Sequence, residues 1–171
     1  MYLNDYVGNF LKDEDNISPG YQSTDLVNNY VRRLTLNKYR TKLNANKMKY
    51  EKLPNSWKII KSKELLKTDD YREGDIFVSE KLSIFGFNGI IVHNHNFDNV
   101  TVITQNRDGK GNKPVEKQLF PKKNIDYIIR PCKRDYEEYF KKSDLKEKIT
   151  ISKQEYNKLL DAYNKMKDVF S

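Results

Sequence analysis

Three side chains in this sequence are of types that act as nucleophiles or as acids and bases near neutral pH: Cys132, His93 and His95. Cys132 is the only cysteine of the chain, which excludes an intramolecular disulfide and a multi-cysteine zinc site. It follows a predicted strand, with no helix start or histidine beside it to activate the thiol, which favours a half-buried apolar role. The histidines form an H-x-H pair at a predicted strand end, near Asp98. That position is typical of exposed turn residues, and a compact metal pair is the alternative.

The apolar pattern places helices first and strands later. Apolar residues at helical spacing predict an amphipathic helix over residues 2–11 and a second helix from about Ser23. Residues 37–55 are polar and weakly patterned, which is typical of loop with short helical pieces. Apolar and β-branched runs predict strands at Trp57–Ile60, Asp75–Val78, Gly89–His95, Val100–Asn106 and Ile125–Ile129, the third and fourth forming a hairpin. This order predicts an α+β fold, with the Ser23 helix packed on one side of a curled antiparallel sheet of roughly four to six strands.

The C-terminal segment differs in character from the rest. A capping box at Ser152–Glu155 precedes a single apolar stripe, formed by Tyr156, Leu159, Leu160, Tyr163, Met166 and Phe170. A helix of this kind folds back on its own domain or docks on a partner. The charged residues 133–148 before it are predicted to be helical or a linker. We therefore expect a domain at residues 1–131 and a helical C-terminal extension at 132–171.

Composition and charge limit the class of protein. Aromatic residues make up 12% of the 171 residues, which argues against disorder. No apolar run approaches the ~18 residues that a membrane-spanning helix needs, and the first residues lack the features of a secretory signal. The net charge of +8 favours polyanionic partners. The basic stretches Lys113–Lys123 and Lys141–Lys148 could contact phosphates, but a solvated charged face is favoured because no nucleic-acid-binding module is recognisable.

Five segments, taken in order, carry a resemblance to a known family. They are Gly20–Leu26 (GYQSTDL), Gly74–Val78 (GDIFV), Asn88–Val92 (NGIIV), Val100–Asn106 (VTVITQN) and Tyr127–Pro131 (YIIRP). They resemble motifs of the CHAP family, the cysteine, histidine-dependent amidohydrolases and peptidases of bacterial cell walls: G-Y-Q-C-x-D-L, G-D-I, H-x-x-I-V, V-x-V-I-E-Q-N and Y-I-I-R-P. The resemblance covers residues 10–131 or so and implies a papain-like α+β domain.

The resemblance also implies where a catalytic site would lie and what it has lost. In the family, a cysteine at a helix N-terminus attacks a peptidoglycan amide, a histidine acts as base and then as acid, and a Glu or Asn orients the histidine. The corresponding residues here are Ser23, Asn88 and Thr104, and only Asn106 keeps the family's residue type. An asparagine amide is not a base at neutral pH, and a serine hydroxyl needs one. The four positions are therefore expected to be vestigial, and Ser23 is equally explained as a helix N-cap.

The alternation of side chains along a strand indicates that the histidines do not replace the lost base. Unbroken alternation places Asn88 on one face of its strand and His93 and His95 on the other, roughly 16–23 Å farther along at ~3.3 Å per residue. The same rule places Thr104 and Asn106 on one face. The pocket is therefore expected to keep its geometry although its chemistry has changed.

Calcium is the one cofactor that the resemblance suggests. Some CHAP domains bind calcium through acidic residues before the cysteine helix, and the candidate ligands here are Asp13, Asp15 and Asp25, near Glu14 and Asn16. The full set of six to eight ligands is not evident in the sequence. Acidic residues that interact with the helix dipole or with solvent are the alternative.

The resemblance implies a catalytically inactive CHAP-like module of phage or Gram-positive origin. Such a module would bind peptidoglycan or a protein partner through the old substrate groove, as a virion component or in the host cytoplasm. One alternative is an active peptidoglycan amidase or endopeptidase, a cell-wall lysin with a relocated site. Another is a basic protein that binds nucleic acid or a host component.

Overall fold

A six-stranded antiparallel sheet forms the centre of the fold. The computed structural model describes residues 3–12, 22–95, 98–106 and 108–138, and these ranges contain the following strands and helices. The strands are β1 (Lys58–Lys61), β2 (Ile76–Ser79), β3 (Phe87–Asn94), β4 (Asn99–Gln105), β5 (Val115–Pro121) and β6 (Tyr127–Arg130). The helices are α1 (Ser23–Leu34) and α2 (Ser62–Thr68), with 3₁₀ helices at Leu3–Tyr6, Ala45–Tyr50 and Lys122–Asn124. The predicted α+β fold with an antiparallel sheet is confirmed.

The strands follow the order β1-β6-β2-β3-β4-β5 across the sheet. Ile90 in the middle of β3 pairs with Ile76 of β2 and with Ile103 of β4. Because directly opposed residues of neighbouring strands point to the same face, these three isoleucines lie on one face of the sheet. A β-bulge then shifts the register between Ile91 and His93, so the second half of β3 follows a different alternation from the first.

Helix α1 covers the face that carries these isoleucines. Its residues Leu26, Val27, Tyr30 and Val31 are fully buried in one cluster with Ile90. This spacing forms one apolar stripe along a helix, which is why the segment both folds as a helix and packs on the sheet. Each such side chain contributes about 1.5–3 kcal/mol by its burial. The helix predicted from about Ser23 is confirmed.

The N-terminus of α1 is closed by a reciprocal cap. Gln22 is the N-cap, in an extended backbone conformation, and the N–H of Gln22 donates to Asp25 Oδ2 at 2.8 Å. Ser23 is therefore the first helical residue, and the prediction that Ser23 caps the helix is wrong by one position. The helix start is fixed by two side chains that lie on either side of Ser23.

The opposite face of the sheet is also buried. Phe77, Phe87 and Phe120 meet there, and the ring centroids of Phe77 and Phe120 are 4.6 Å apart. Gly89 of β3 allows this close packing, because a Cβ atom at Gly89 would lie 2.8 Å from Cε1 of Phe77 and 2.4 Å from the carbonyl oxygen of Ile103. Strand β3 therefore lies between two packed layers.

The N-terminal segment and two short elements differ from the prediction. In place of a helix over residues 2–11, the described part forms the short 3₁₀ helix Leu3–Tyr6 and then a turn at Gly8, whose φ of +84° suits glycine. The chain then pairs with β5, with the N–H of Gly8 donating to the carbonyl of Val115 at 2.9 Å. Strand β5 and helix α2 have no counterpart in the sequence prediction. Most of the basic stretch Lys113–Lys123 is thus the edge strand β5, and its one lysine, Lys117, is exposed there, where charge discourages pairing with other chains.

The beginning of the C-terminal extension packs on the domain. Residues 133–138 are helical, and Nε1 of Trp57 donates to Oδ2 of Asp135 at 2.8 Å. The ring of Tyr136 lies against Gly74, where a Cβ atom would be 2.2 Å from Cε2 of Tyr136. The basic stretch Lys141–Lys148 and the capping box and apolar stripe of the predicted C-terminal helix lie outside the described residues, and the predicted domain boundary stays a prediction. None of the helices in the described ranges is long and apolar enough to span a membrane.

Candidate ligand cleft

A cleft of about 780 Å³ opens where the N-terminus of α1 meets the start of β3 and the loop after β4. Its polar lining consists mainly of amide and hydroxyl side chains: Gln22, Ser23, Thr24, Asn44, Ser83, Asn106 and Asn124. Its apolar lining consists of Leu82, Phe85, Phe87, Phe120 and Pro121. Among the described residues that line the cleft, Lys110 is the one that carries a charge. The volume lies within the range of sites that bind small molecules.

Ser23 lies at this cleft with most of its surface covered. Its exposure is only 8%, and as the first residue of α1 it stands where the backbone N–H groups have no acceptor within the helix. Among the described residues, its hydroxyl has no hydrogen-bond partner. A serine hydroxyl needs an adjacent base to become a nucleophile, and none contacts Ser23 in the described part of the chain.

Asn106 joins the loop after β4 to the start of α1. Its Nδ2 donates to Oε1 of Gln22 at 3.1 Å, and its Oδ1 accepts the N–H of Gly111. The φ of Asn106 is +57°, a left-handed conformation that asparagine adopts more readily than most residues. This turn ends β4 and directs Asn106 towards α1, so it does not continue the alternation that places it with Thr104. Asn106 therefore sets the position of one wall of the cleft.

Asn88 lies beneath the cleft and does not line it. It is 0% exposed and is paired with Val78 on the face covered by α1. Its Nδ2 reaches Sδ of Met48 at 3.5 Å, while its Oδ1 has no partner among the described residues. Met48 belongs to the 3₁₀ helix Ala45–Tyr50, which thus contacts the side chain of Asn88.

Thr104 lies on the other face of the sheet. It points to the same face as Val100 and Val102, which belong to the apolar cluster on the side away from α1. Its Oγ1 accepts a hydrogen bond from Nε2 of Gln118 at 2.6 Å. On the α1 side the neighbouring residue is Gln105, whose amide exchanges hydrogen bonds with the backbone of Leu11 at 3.1 and 2.7 Å. The structure therefore brings Ser23 and Asn106 to one cleft, and it does not bring Asn88 and Thr104 there.

The two histidines lie at the end of β3 that is far from the cleft. His93 pairs with Thr101, and Nε2 of His95 contacts the Thr101 hydroxyl. The ring centroids of the histidines are 4.6 Å apart. Thr101 lies on the same face as Ile103, so the bulge in β3 has moved both rings to the α1 side, opposite to the face that unbroken alternation predicts. Neither histidine is placed to activate Ser23.

The metal candidates receive no support from the described residues. Asp13 and Asp15 lie outside the described ranges. Asp25 is 7% exposed, and its carboxylate caps α1. Within the described part of the chain, no three His, Cys, Asp or Glu side chains are grouped as metal ligands. The calcium site stays a prediction.

An ion network that the sequence did not indicate lies away from the cleft. The Arg130 guanidinium donates to both carboxylate oxygens of Asp75, at 2.8 and 2.7 Å, and to Asp70 at 2.9 Å. Burial raises the pKa of the Asp75 carboxyl, and the hydrogen bond from Arg130 opposes that shift. The acidic residue of the Gly74–Val78 segment thus fixes β6 against the start of β2, which is a structural role.

Sequence reasoning also missed the loop between β2 and β3. Leu82, Ile84 and Phe85 are 49%, 83% and 59% exposed there, and two of them line the cleft. The 3₁₀ helix holds this loop, since the N–H of Asn46 donates to the carbonyl of Phe85 at 3.0 Å. Three large apolar residues within a four-residue stretch between two strands were the available signal, because loops are normally polar.

Comparisons with known proteins bear on the fold. No family model matches the chain, and no curated protein matches its sequence. Among solved structures, the crystal structure of the wild-type endolysin LysIME-EF1 is similar, with a TM-score of 0.61 and 19% sequence identity. The match covers 75% of this chain and 60% of that chain. At this identity the similarity establishes a shared fold with part of an endolysin.

Proposed function

We propose that this chain is a catalytically inactive, CHAP-like module that binds peptidoglycan in the cleft beside Ser23. The observation that carries the proposal is the chemistry of the lining, in which Lys110 is the one ionisable side chain among the described residues. Amide hydrolysis through a serine requires a base that takes the proton of the hydroxyl. An open cleft of about 780 Å³ without such a base in its described lining favours binding over catalysis.

The lining also favours a glycan or peptide as the ligand. Amide and hydroxyl side chains offer both donors and acceptors, which suits sugar hydroxyls and peptide groups. Phe85 and Phe87 add aromatic surface at the same cleft. The similarity of the fold to an endolysin supports a cell-wall ligand in particular and a phage or Gram-positive origin. A place in the virion or in the host cytoplasm is part of this proposal. The alternative partner is a protein bound through the same cleft.

The first experiment is sedimentation of the full chain with purified Gram-positive cell walls. We expect the protein to pellet with the walls and Phe85→Ala to weaken binding by about 2- to 10-fold, the effect of losing one aromatic contact of about 0.5–1.5 kcal/mol. Leu119→Ala is the matched control, because Leu119 is 60% exposed, as Phe85 is 59% exposed, but lies on β5 and does not line the cleft. Equal retention of the two variants, or no sedimentation of the folded wild type, would contradict the proposal.

The second experiment tests the competing function, an active amidase or endopeptidase. We expect no clearing in a zymogram that contains Gram-positive cell walls. Clearing that disappears in Ser23→Ala would show that a base reaches the hydroxyl, and the inactive module would have to be abandoned.

A further inference from the structure

The geometry points to a carboxylate subsite inside this cleft, formed by the N-terminus of α1, the Ser23 hydroxyl and Lys110. We propose that this subsite selects a peptidoglycan fragment that ends in a free carboxylate over the same fragment ending in a carboxamide. The inference rests on the proposed function and names the group that the cleft recognises.

The start of α1 presents a set of hydrogen-bond donors to the cleft. Ser23 and Thr24 are the first two residues of a 12-residue helix, and both line the cleft. Their backbone N–H groups have no acceptor within the helix, and the helix dipole favours negative charge at this end. Anions bind at helix N-termini for this reason.

The Ser23 side chain adds a further hydrogen-bonding group at the same place. Ser23 lines the cleft and is 8% exposed, and its hydroxyl has no hydrogen-bond partner among the described residues. Ser23 Oγ is not one of the fully buried polar atoms without a partner, so the small accessible part of this residue includes the hydroxyl oxygen. A ligand oxygen at the helix N-terminus would provide the missing partner.

The charge balance around this position also favours an anion. Lys110 is the charged residue of the described lining. The carboxylate of Asp108, which does not line the cleft, accepts the N–H of Lys110 at 3.1 Å and lies 3.6 Å from Nζ of Lys113. The carboxylate nearest in sequence to the helix start, Asp25, accepts the N–H of Gln22 and is not part of the lining. The described lining therefore contains one cation and no carboxylate, so an anion bound in the cleft meets no like charge within that lining.

The test compares two probes by isothermal titration calorimetry with the full chain. The probes are a muramyl tripeptide with a free C-terminal carboxylate and the same compound with a C-terminal carboxamide. We expect the wild type to bind the carboxylate form about tenfold more tightly, because hydrogen bonds to charged acceptors are roughly twice as strong as neutral ones. Lys110→Gln should reduce this preference while the affinity for the carboxamide form stays unchanged, and Lys110→Arg should restore it.

A second variant tests the helix start directly. Ser23→Pro removes the N–H and the hydroxyl together, and proline is well tolerated at the first helical position. Gln22 already has φ −117° and ψ 158°, the extended conformation that a residue before proline requires. We therefore expect a folded protein that has lost the preference for the carboxylate form. Lys113→Gln is the control, since Lys113 lies near this loop but does not line the cleft.

The outcomes separate this inference from the proposed function. Equal affinity of the wild type for both probes would overturn the carboxylate subsite and leave peptidoglycan binding intact. Retention of the preference in both Lys110→Gln and Ser23→Pro would also overturn it, because the preference would then arise elsewhere. If neither probe binds while walls still sediment with the protein, the subsite is wrong. If the folded protein binds neither the probes nor the walls, the proposed function fails as well.

Discussion

Two buried asparagines allow the role of Asn88 to be tested against an internal reference. Asn28 of α1 and Asn88 of β3 are 2% and 0% exposed. Oδ1 of Asn28 accepts the N–H of Thr41 at 3.0 Å, whereas Oδ1 of Asn88 has no partner among the described residues. We predict that Asn88→Leu raises the free energy of unfolding and that Asn28→Leu lowers it.

The magnitudes follow from what each amide does. A buried acceptor that makes no hydrogen bond costs about 1–3 kcal/mol, and the sulfur of Met48 is only a weak acceptor for Nδ2 of Asn88. Leucine has a similar shape and removes that cost, so Asn88→Leu should add about 1–2 kcal/mol. In Asn28→Leu the N–H of Thr41 loses its acceptor, so stability should fall by about 1–3 kcal/mol. A gain of about 2 kcal/mol corresponds to a rise of about 4–8 °C in Tm for a chain of this size.

Urea denaturation measures both variants, with equal m-values as the condition for comparing them. Binding of Asn88→Leu to cell walls should equal that of the wild type, because Asn88 does not line the cleft. If Asn88→Leu instead loses as much stability as Asn28→Leu, the amide of Asn88 has a partner after all. Asn88 would then have a structural role in the folded protein.

Three further predictions concern packing and charge away from the cleft. Gly89→Ala should lower the free energy of unfolding by at least about 1–3 kcal/mol, because the new Cβ atom would lie 2.4 Å from the carbonyl oxygen of Ile103 in β4. Thermal melts measure this, and unchanged stability would contradict the packing described for β3. Asp135→Leu should lower the free energy of unfolding by about 1–2 kcal/mol and shift the fluorescence emission of Trp57, the single tryptophan, because the indole N–H loses its acceptor. An unchanged emission spectrum would show that residues 133–138 do not pack against Trp57. Arg130→Gln should cost about 3–5 kcal/mol at pH 7, because the buried Asp75 carboxylate loses its ion pair and keeps the hydrogen bond from the N–H of Arg72 at 2.9 Å. Burial raises the folded-state pKa of Asp75 above its unfolded value, so the folded protein takes up this proton at a higher pH than the unfolded chain does. The stability lost in Arg130→Gln should therefore shrink as the pH is lowered towards about 4. Urea denaturation at several pH values measures this, and a loss that does not change with pH would contradict it.

The elements that could be predicted from the sequence are those with a strong periodic pattern. Helix α1 carries a complete apolar stripe, and β3 and β4 carry long β-branched runs on either side of a polar turn. Strand β5 does not alternate clearly, because both Lys117 and Gln118 face at least partly to solvent at the edge of the sheet. Helix α2 has seven residues and buries little beyond Leu65, too few positions for a helical period to be recognised.

The candidate site could be predicted only in part, because two of its positions depend on strand register. Ser23 and Asn106 do lie at one cleft, as the resemblance implies. Asn88 and Thr104 lie on opposite faces because Ile90 pairs with Ile103, and a register shifted by one residue would have reversed their relation. No sequence pattern in a strand that is buried on both faces specifies that register. The cleft residue Lys110 was also missed, since a single lysine in a glycine-containing loop has no distinctive pattern.

The β-bulge in β3 has a consequence for how this chain can be altered. In the half of β3 next to the cleft, the register with β4 is set by the pairing of Ile90 with Ile103. In the half that ends with the histidines, the register with β4 differs because of the irregularity between Ile91 and His93. An insertion or deletion in the hairpin tip can therefore be absorbed before it reaches Gly86 and Phe87. This makes the tip a suitable position for grafting an epitope or a fluorescent peptide without changing ligand recognition.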